Sequence, residues 1–467
     1  MESLSSFVTH ANCQSRTQAR NMASTTTRFP NTLEGVKAFC KGRKALDLVR
    51  SFSTTPIPGA PAKWDDTLGV CLDLEWYNQP PDSPMEIINE GGLVVFPMKK
   101  LRGCKSPSDF RHLIRNIAVH HLRIVETCHM RNKGKDKFGI PFGDTELNPR
   151  FCQTRFVTKS EAQAVLIQFL DNQRCDDGSK RPVIFFGQGL NNDERQLKEQ
   201  WNLNTAKLDS IVLTIRSLGT LASHAGIVAV PDKERGESLP RFIELLRGFQ
   251  VDTTNIWLHN SSNDAVYETT LFFLVVLFPV LFPGTPGNRF PSDCTIADRS
   301  INDIWTDLAE EKKVIPPQTW GTAQFCWYCE KADVHAADAC PVKETIECDI
   351  CGKAPGPENK RLRSKQYRFG HQTSRCTHQF RHYIPPLPAF ITDNLDHEEQ
   401  RAVSRAKASD DVAVGGRILF DKLLAPGYPG KIGDRELDAE DERRDEEDKM
   451  LWSLTDSDDE EFALDDE

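Results

Sequence analysis

Within LGVCLDLEW (Leu68 to Trp76), Asp73 and Glu75 stand two residues apart. If that apolar run is a strand, its period of two sends both carboxylates to one face while Leu72 and Leu74 go to the other. Two carboxylates so placed repel each other unless a cation sits between them. A hard divalent ion such as Mg²⁺ or Mn²⁺ suits the place, because it takes oxygen ligands and keeps positions for water and a substrate phosphate. Alone the signal is weak, since a solvated strand face yields the same text. Further acids come later: Asp193 in GQGLNNDERQL, and Asp264 after His259 in LHNSSNDAVYETTL. Each has an ordinary alternative, since a carboxylate at a helix start can cap the unpaired N–H groups there, and His259 fits a satisfied loop histidine. What raises them together is place: each acid falls at the edge of a core element, where one shared site can form.

A second set of residues suits a softer metal. Cys326, Cys329, His335 and Cys340 form one array; Cys348, Cys351, His371 and Cys376 form another. Each supplies three thiolates and an imidazole, the donors that close a tetrahedral structural Zn²⁺ and leave no open position for catalysis. In the second array His378 or His382 could stand in for His371. The text between carries Arg361, Arg363, Lys365, Tyr367 and Arg368. Cations interleaved with an aromatic ring suit phosphate contact plus base stacking, and equally a basic rim that only solubilises a small module.

Elements to position these groups are legible along the chain. LGVCLDLEW, GGLVVFPM (Gly91 to Met98) and HHLRIVETCHM (His120 to Met130) read as three early strands, and PVIFFG (Pro182 to Gly187) as a short strand buried on both faces. SEAQAVLIQFLDNQ (Ser160 to Gln173) has apolar residues at helical spacing. Further helices are expected from Asp193 to about Trp201, over LPRFIELLRGFQ (Leu239 to Gln250), and over NDAVYETTLFFLVVLF (Asn263 to Phe278). Strands followed by alternating helices and strands make a mixed α/β sheet. The expected division is an N-terminal disordered arm over 1–63, ending in the Pro-rich TTPIPGAPAK, then the α/β domain over 64–285 and a linker over 286–325, in which Ser300 to Lys313 can form a short helix. A zinc module over 326–385 and a disordered acidic tail over 386–467 follow.

The order DxE, a later Asp after a buried strand, and HxxxxD opening an apolar helix resembles the DEDDh group of 3′-to-5′ exonucleases in the RNase H-like superfamily. The phrases LDLEW, NEGG, GLNNDERQL and LLRGFQVDTTNIWLHNSSNDAVY look particularly like fungal proteins related to a yeast mRNA export factor. The resemblance covers roughly 63–283. It implies an RNase H-like mixed sheet with flanking helices, and metal binding by Asp73, Glu75, Asp193 and Asp264. His259 would be the general base that takes a proton from the attacking water. Two Mg²⁺ or Mn²⁺ ions about 3.5–4 Å apart would serve in-line attack and departure of the 3′ oxygen. Where many relatives have His-Asn before the middle acid, this chain has Gln188 and Gly189. Basic text at Lys99 to Arg115 and Arg131 to Arg150 suits a phosphate grip on the sheet rim and equally an ordinary solvated surface. CWYCEKADVHAADAC is similar to a retroviral-type zinc knuckle.

Charge fits a polyanionic partner once it is divided. The chain totals −10, but Asp434 to Glu467 holds 18 acidic and 4 basic side chains, so the rest carries +4. Single-stranded RNA or DNA is the expected partner, and the acidic tail offers a surface for a basic protein. The most apolar run, Thr270 to Phe282, is too short for a membrane span and is interrupted by Pro279, so it reads as a core helix and no membrane is expected. Cysteines without a secretory leader point to a reducing compartment, the cytoplasm or nucleus. The Ser-, Thr- and Arg-rich start with RSFSTT (Arg50 to Thr55) leaves a mitochondrial presequence as the alternative.

Overall fold

The computed structural model describes residues 29–54, 56–77, 87–130, 148–227, 241–253, 256, 258–285, 289–311, 319–353 and 369–376. The basic residues Arg361, Arg363, Lys365, Tyr367 and Arg368, the rest of the 131–150 text and the acidic tail lie outside these. The chain forms two compact units, Met1–Gly352 with Gly356–Arg375, and Lys353–Pro355 with Cys376–Glu467. Among the described residues, the second unit holds only Lys353 and Cys376.

Helices α1 (Leu33–Cys40) and α2 (Ala45–Arg50) precede strands β1 (Leu68–Tyr77) and β2 (Ile87–Pro97). Then come α3 (Pro107–Arg115), β3 (Ala118–Ile124), β4 (Thr154–Val157), α4 (Lys159–Leu170), β5 (Val183–Phe186) and α5 (Leu190–Trp201). Strand β6 (Ile211–Ile215) is followed by α6 (Leu218–His224), α7 (Phe242–Gly248), α8 (Ser261–Val276), a short α9 (Phe278–Leu281) and α10 (Ile301–Glu311).

The strands form a six-stranded sheet in the order β4-β3-β2-β1-β5-β6. Antiparallel β1/β2 and β2/β3 pairs meet parallel β1/β5, β5/β6 and β3/β4 pairs. This is a mixed α/β sheet flanked by helices, consistent with an RNase H-like fold. Alternation along β1 splits the core in two. Leu68, Val70, Leu72 and Leu74 pack with α4 and α5 residues on one face, whereas Cys71 faces the larger cluster built by α8. Asp73 and Glu75 share the α8 face by the same period of two.

Helix α8 accounts for the apolar run read as a core helix: every residue from Leu271 to Val276 is buried. Phe186 of β5 stacks on Phe272, with ring centroids 4.4 Å apart, a contact contributing about 1 kcal/mol beyond area burial. Among the described residues no helix is long and apolar enough to cross a membrane.

Two boundaries need correction. The expected arm is folded from Phe29 onward: Thr32 caps α1 by accepting from Gly35 N–H at 3.1 Å, and Val36, Phe39, Leu48, Val49 and Phe52 are buried in the main core with Trp64. Likewise the expected linker contains α10, whose Trp305 is fully buried and donates Nε1–H to Thr270 Oγ1 at 3.0 Å. The Pro- and Ser-rich text before Lys63 masked two short helices that tertiary burial holds, whereas the short helix expected within Ser300 to Lys313 forms and joins the main core. The basic text at Lys99 to Arg115 also has another role. It follows the end of β2 that pairs with Leu68, away from Asp73, and Arg102, Arg111 and Arg115 are paired with Asp65, Asp307 and Glu311.

Past α10 the chain returns to the sheet. Thr322 and Phe156 exchange both backbone hydrogen bonds at 2.9 Å, and Arg155 Nη2 donates to Trp320 O at 3.1 Å. A small hairpin, β7 (Phe325–Cys326) with β8 (Lys331–Ala332), follows.

Candidate active site

Strand β5 runs beside β1 only from Leu68 to Cys71, because β5 ends at Phe186 and the chain turns through Gly187–Gly189 into α5. Beyond Cys71, β1 therefore extends without that neighbour and opens a crevice at the carboxyl ends of two parallel strands, the usual ligand position in α/β sheets. Gly189 permits the turn: it caps α5 at φ +75°, a left-handed conformation that glycine adopts without steric cost.

Helix α5 then supplies Asp193. Its Oδ1 accepts the Leu74 N–H at 3.0 Å, clipping the β1 backbone where β5 has left it. The N-cap of α5 is Gly189, so Asp193 stands inside the first turn with Oδ1 spent on β1. Helix α8 enters from the other side. Asn260 is its N-cap, accepting from Asn263 N–H at 3.1 Å, and His259 just before it adopts φ +63°, a strained value for a residue with a Cβ.

Asp73, Glu75 and Asp264 each offer an oxygen within 4.8 Å of the others. Asp264 is half committed, since its Oδ2 accepts the His259 N–H at 2.9 Å. Its Oδ1 and the Asp73 Oδ2 are buried and accept no hydrogen bond from any described residue. The His259 Nδ1 lies 3.5 Å from Glu75 Oε1. Of the five residues singled out for chemistry, the structure thus draws four together, while Asp193 stands outside the three-acid group and borders it through its charge.

Burial first, and then mutual repulsion, push the carboxyls up. Asp73 is held well above the ordinary range by burial and by Asp264, Glu268 and Glu75; Asp193 by burial and Glu268; Asp264 by burial and Glu75. Glu75 is raised by burial, with His259 opposing. Orphaned carboxylate oxygens around a shared point, each destabilised as an anion by its neighbours, fit a divalent cation.

Glu268 was not among the acids singled out. It lies one helical turn past Asp264, nearly buried, and accepts from Cys71 Sγ at 3.3 Å; burial pushes it up to about 8. The i,i+4 spacing from Asp264 within an apolar helix was the available signal. Gln188 accepts from Leu218 N–H at 2.9 Å and Gly219 N–H at 3.3 Å, so its side-chain oxygen is spent on the start of α6.

The cysteine arrays lie apart from this crevice in sequence and in chemistry. Cys326, Cys329, His335 and Cys340 offer ligand atoms within 4.8 Å of one another, with Cys329 Sγ 3.4 Å from His335 Nε2. Of the other array, Cys351 Sγ lies 3.5 Å from His371 Nε2 and Cys348 Sγ accepts from Cys351 N–H at 3.4 Å. Cys376 belongs to the second unit and is buried. The first cluster could hold zinc, and Cys348, Cys351 and His371 offer metal ligands within the first unit. Arg375 anchors the segment, donating Nη1 to Val125 O at 2.6 Å and Nε to Glu330 Oε1 at 2.9 Å.

No curated protein matches the chain. The family model described as DNA polymerase III subunit epsilon-like, C-terminal domain, matches residues 68–275, the span from the first residue of β1 into the last turn of α8. The match supports a DEDDh exonuclease-like domain over that span.

Proposed function

We propose that the protein is a metal-dependent 3′-to-5′ exonuclease acting on RNA or single-stranded DNA. The observation that carries this is the meeting of Asp73, Glu75 and Asp264 within 4.8 Å, two of them with an orphaned buried oxygen and with His259 held against the third. Two Mg²⁺ or Mn²⁺ ions held there, with Asp193 completing the acidic set, would supply charge neutralisation at the scissile phosphate and activation of water.

The chain's own residues account for the rest. Glu75 orients the imidazole through Nδ1, so Nε2 is the atom assigned to take the proton as water attacks phosphorus. The bond from phosphorus to the 3′ oxygen breaks and that oxygen takes a proton from solvent water, leaving a new 3′ hydroxyl and a nucleoside 5′-monophosphate. Asp264 ties the base to the metal-binding face through the His259 N–H, and α8 excludes water behind it. In this reading Zn²⁺ in the cysteine arrays is structural, and Arg361, Arg363, Lys365, Tyr367 and Arg368 guide the strand by phosphate contact and stacking.

A second reading is a weakly catalytic nuclease-like protein that binds nucleic acid in mRNA export or processing. Gln188 favours it, because the side chain at that position is committed to α6 rather than to the crevice. Purified chain incubated with 5′-labelled single strands in Mg²⁺ or Mn²⁺ decides: a ladder shortened from the 3′ end by the native chain and not by Asp73→Ala supports catalysis. Retention of the strand by both without shortening supports the second reading.

A further inference from the structure

The text NEGG, Asn89 to Gly92 on β2, has no part in the scheme above, yet it lies directly beneath the entry of α8. Glu90 is fully buried and pairs across the ladder with Glu75. An isolated carboxylate there would cost several kcal/mol, and it is not isolated. Its Oε2 accepts from Arg123 Nη1 at 2.8 Å and lies 3.3 Å from His121 Nε2. Arg123, also fully buried, donates Nη2 to Met130 O at 2.9 Å and Cys128 O at 3.1 Å.

The other oxygen of Glu90 reaches the site. Oε1 accepts the Ser261 N–H at 2.8 Å. Ser261 is the first residue of α8, whose N–H has no partner within the helix; it follows His259 by two residues and precedes Asp264 by three. Gly92 makes the approach possible, since a Cβ there would stand 2.0 Å from Ser261 O. His121 joins from β3, with its Nε2 3.5 Å from Asn260 Nδ2 and its Nδ1 2.9 Å from Thr154 Oγ1.

The geometry assigns Glu90 as the positioning residue of this site: its bond to the Ser261 N–H fixes where α8 begins, and so aims the His259 ring and the Asp264 carboxylate at Asp73 and Glu75. Arg123 and His121 hold Glu90 in place, and Gly92 sets the distance. The catalytic consequence rests on the exonuclease reading; the aiming of His259 does not.

Three variants separate aiming from stability. Ser261→Pro deletes the N–H, together with the side-chain hydroxyl, at the helix position where proline is favoured, after an Asn260 already extended at φ −123° and ψ 115° as a residue before proline prefers. Glu90→Gln keeps an acceptor for Ser261 but loses the charge opposite Arg123. Glu90→Ala loses both. The readout is the His259 ring signal in histidine-labelled full-length chain without added Mg²⁺ or Mn²⁺, assigned with His259→Gln, beside cleavage kinetics and thermal melting.

Ser261→Pro and Glu90→Ala are expected to move the His259 signal and to lower kcat on the order of 10- to 100-fold with KM unchanged, as a small misplacement of a base does. Glu90→Gln is expected to keep the signal and lose only a few-fold in kcat, although it melts as early as Glu90→Ala. A His259 signal that follows melting temperature instead, or a Ser261→Pro chain with native signal and kcat, overturns the assignment. So does a Ser261→Pro chain that fails to fold, because the bond would then hold the fold rather than aim the site. If the native chain cleaves nothing, the exonuclease reading falls, while the His259 comparison still judges Glu90.

Discussion

The acidic crevice and the cysteine arrays could each hold metal, but they depend on it in opposite ways. Asp73, Glu75 and Asp264 are set in place by a large apolar core, with α8 packed on the sheet, so the scaffold can hold mutually repelling carboxyls without a cation. Among the described residues, the buried apolar cluster around the first cysteine array contains Cys326, Ala337 and Cys340, with Trp327, Tyr328 and Cys329 packed against it. There the ligands are the core, and a module that small would gain its folding free energy from a bound ion. A metal site imposed by a fold is tuned for chemistry, whereas one that makes its own fold is tuned for permanence.

The comparison is tested most severely at the crevice. Asp73→Asn is expected to lower single-strand cleavage on the order of 10³-fold or more while the far-ultraviolet circular dichroism stays native; a loss of the sheet signal would mean that the acid serves structure. His259→Ala should cost about 10²- to 10³-fold in kcat, and the loss should shrink at high pH, where hydroxide replaces the missing base. At the other site, Cys340→Ser should release bound zinc and increase protease cleavage after Gln324, with the melting of the 68–275 domain nearly unchanged. If that domain unfolds as well, the contrast between the two sites fails.

The smallest effect concerns pH. Glu268 keeps its proton to about pH 8 in the fold, because burial opposes its charge, against an ordinary value of 4.5. The unfolded chain releases that proton first, so the stability due to this group is full below about pH 4.5 and is lost as pH rises through 8. Metal-free protein should therefore melt earlier at pH 8.5 than at pH 6, and Glu268→Gln should recover about 2–4 °C at the higher pH. Saturating Mg²⁺ should reduce the pH dependence, since a cation nearby favours the ionised form. Equal melting curves at both pH values would remove Glu268 from the account.

The parts of the fold legible in the sequence were those with their own periodicity. β1, β2, α4 and α8 carry long apolar patterns, β5 is a short but wholly apolar run, and the DxE spacing follows from strand geometry, whereas HxxxxD was legible through its resemblance to a known family. β4 and β6 are short and take their stability from neighbours in the ladder, so local text such as TRFV carried little signal. The helix LEGVKAFC was legible in principle, with a Thr cap and Val36, Phe39 and Cys40 on one stripe, but the Pro-rich stretch after it pointed the other way. Glu90 shows the deeper limit: the text NEGG is plain, yet its meaning depends on Ser261, which only the tertiary fold brings within 2.8 Å.

The backbone exchange between Thr322 and Phe156 has a consequence for the molecule in solution. Strand β4 would otherwise present an open row of amide donors and acceptors, the kind of margin on which other chains polymerise. The return of the chain past α10 hems that margin, as α1 lies along β6 at the opposite side. A protein cut short before Trp320 should therefore lose colloidal solubility before it loses its crevice.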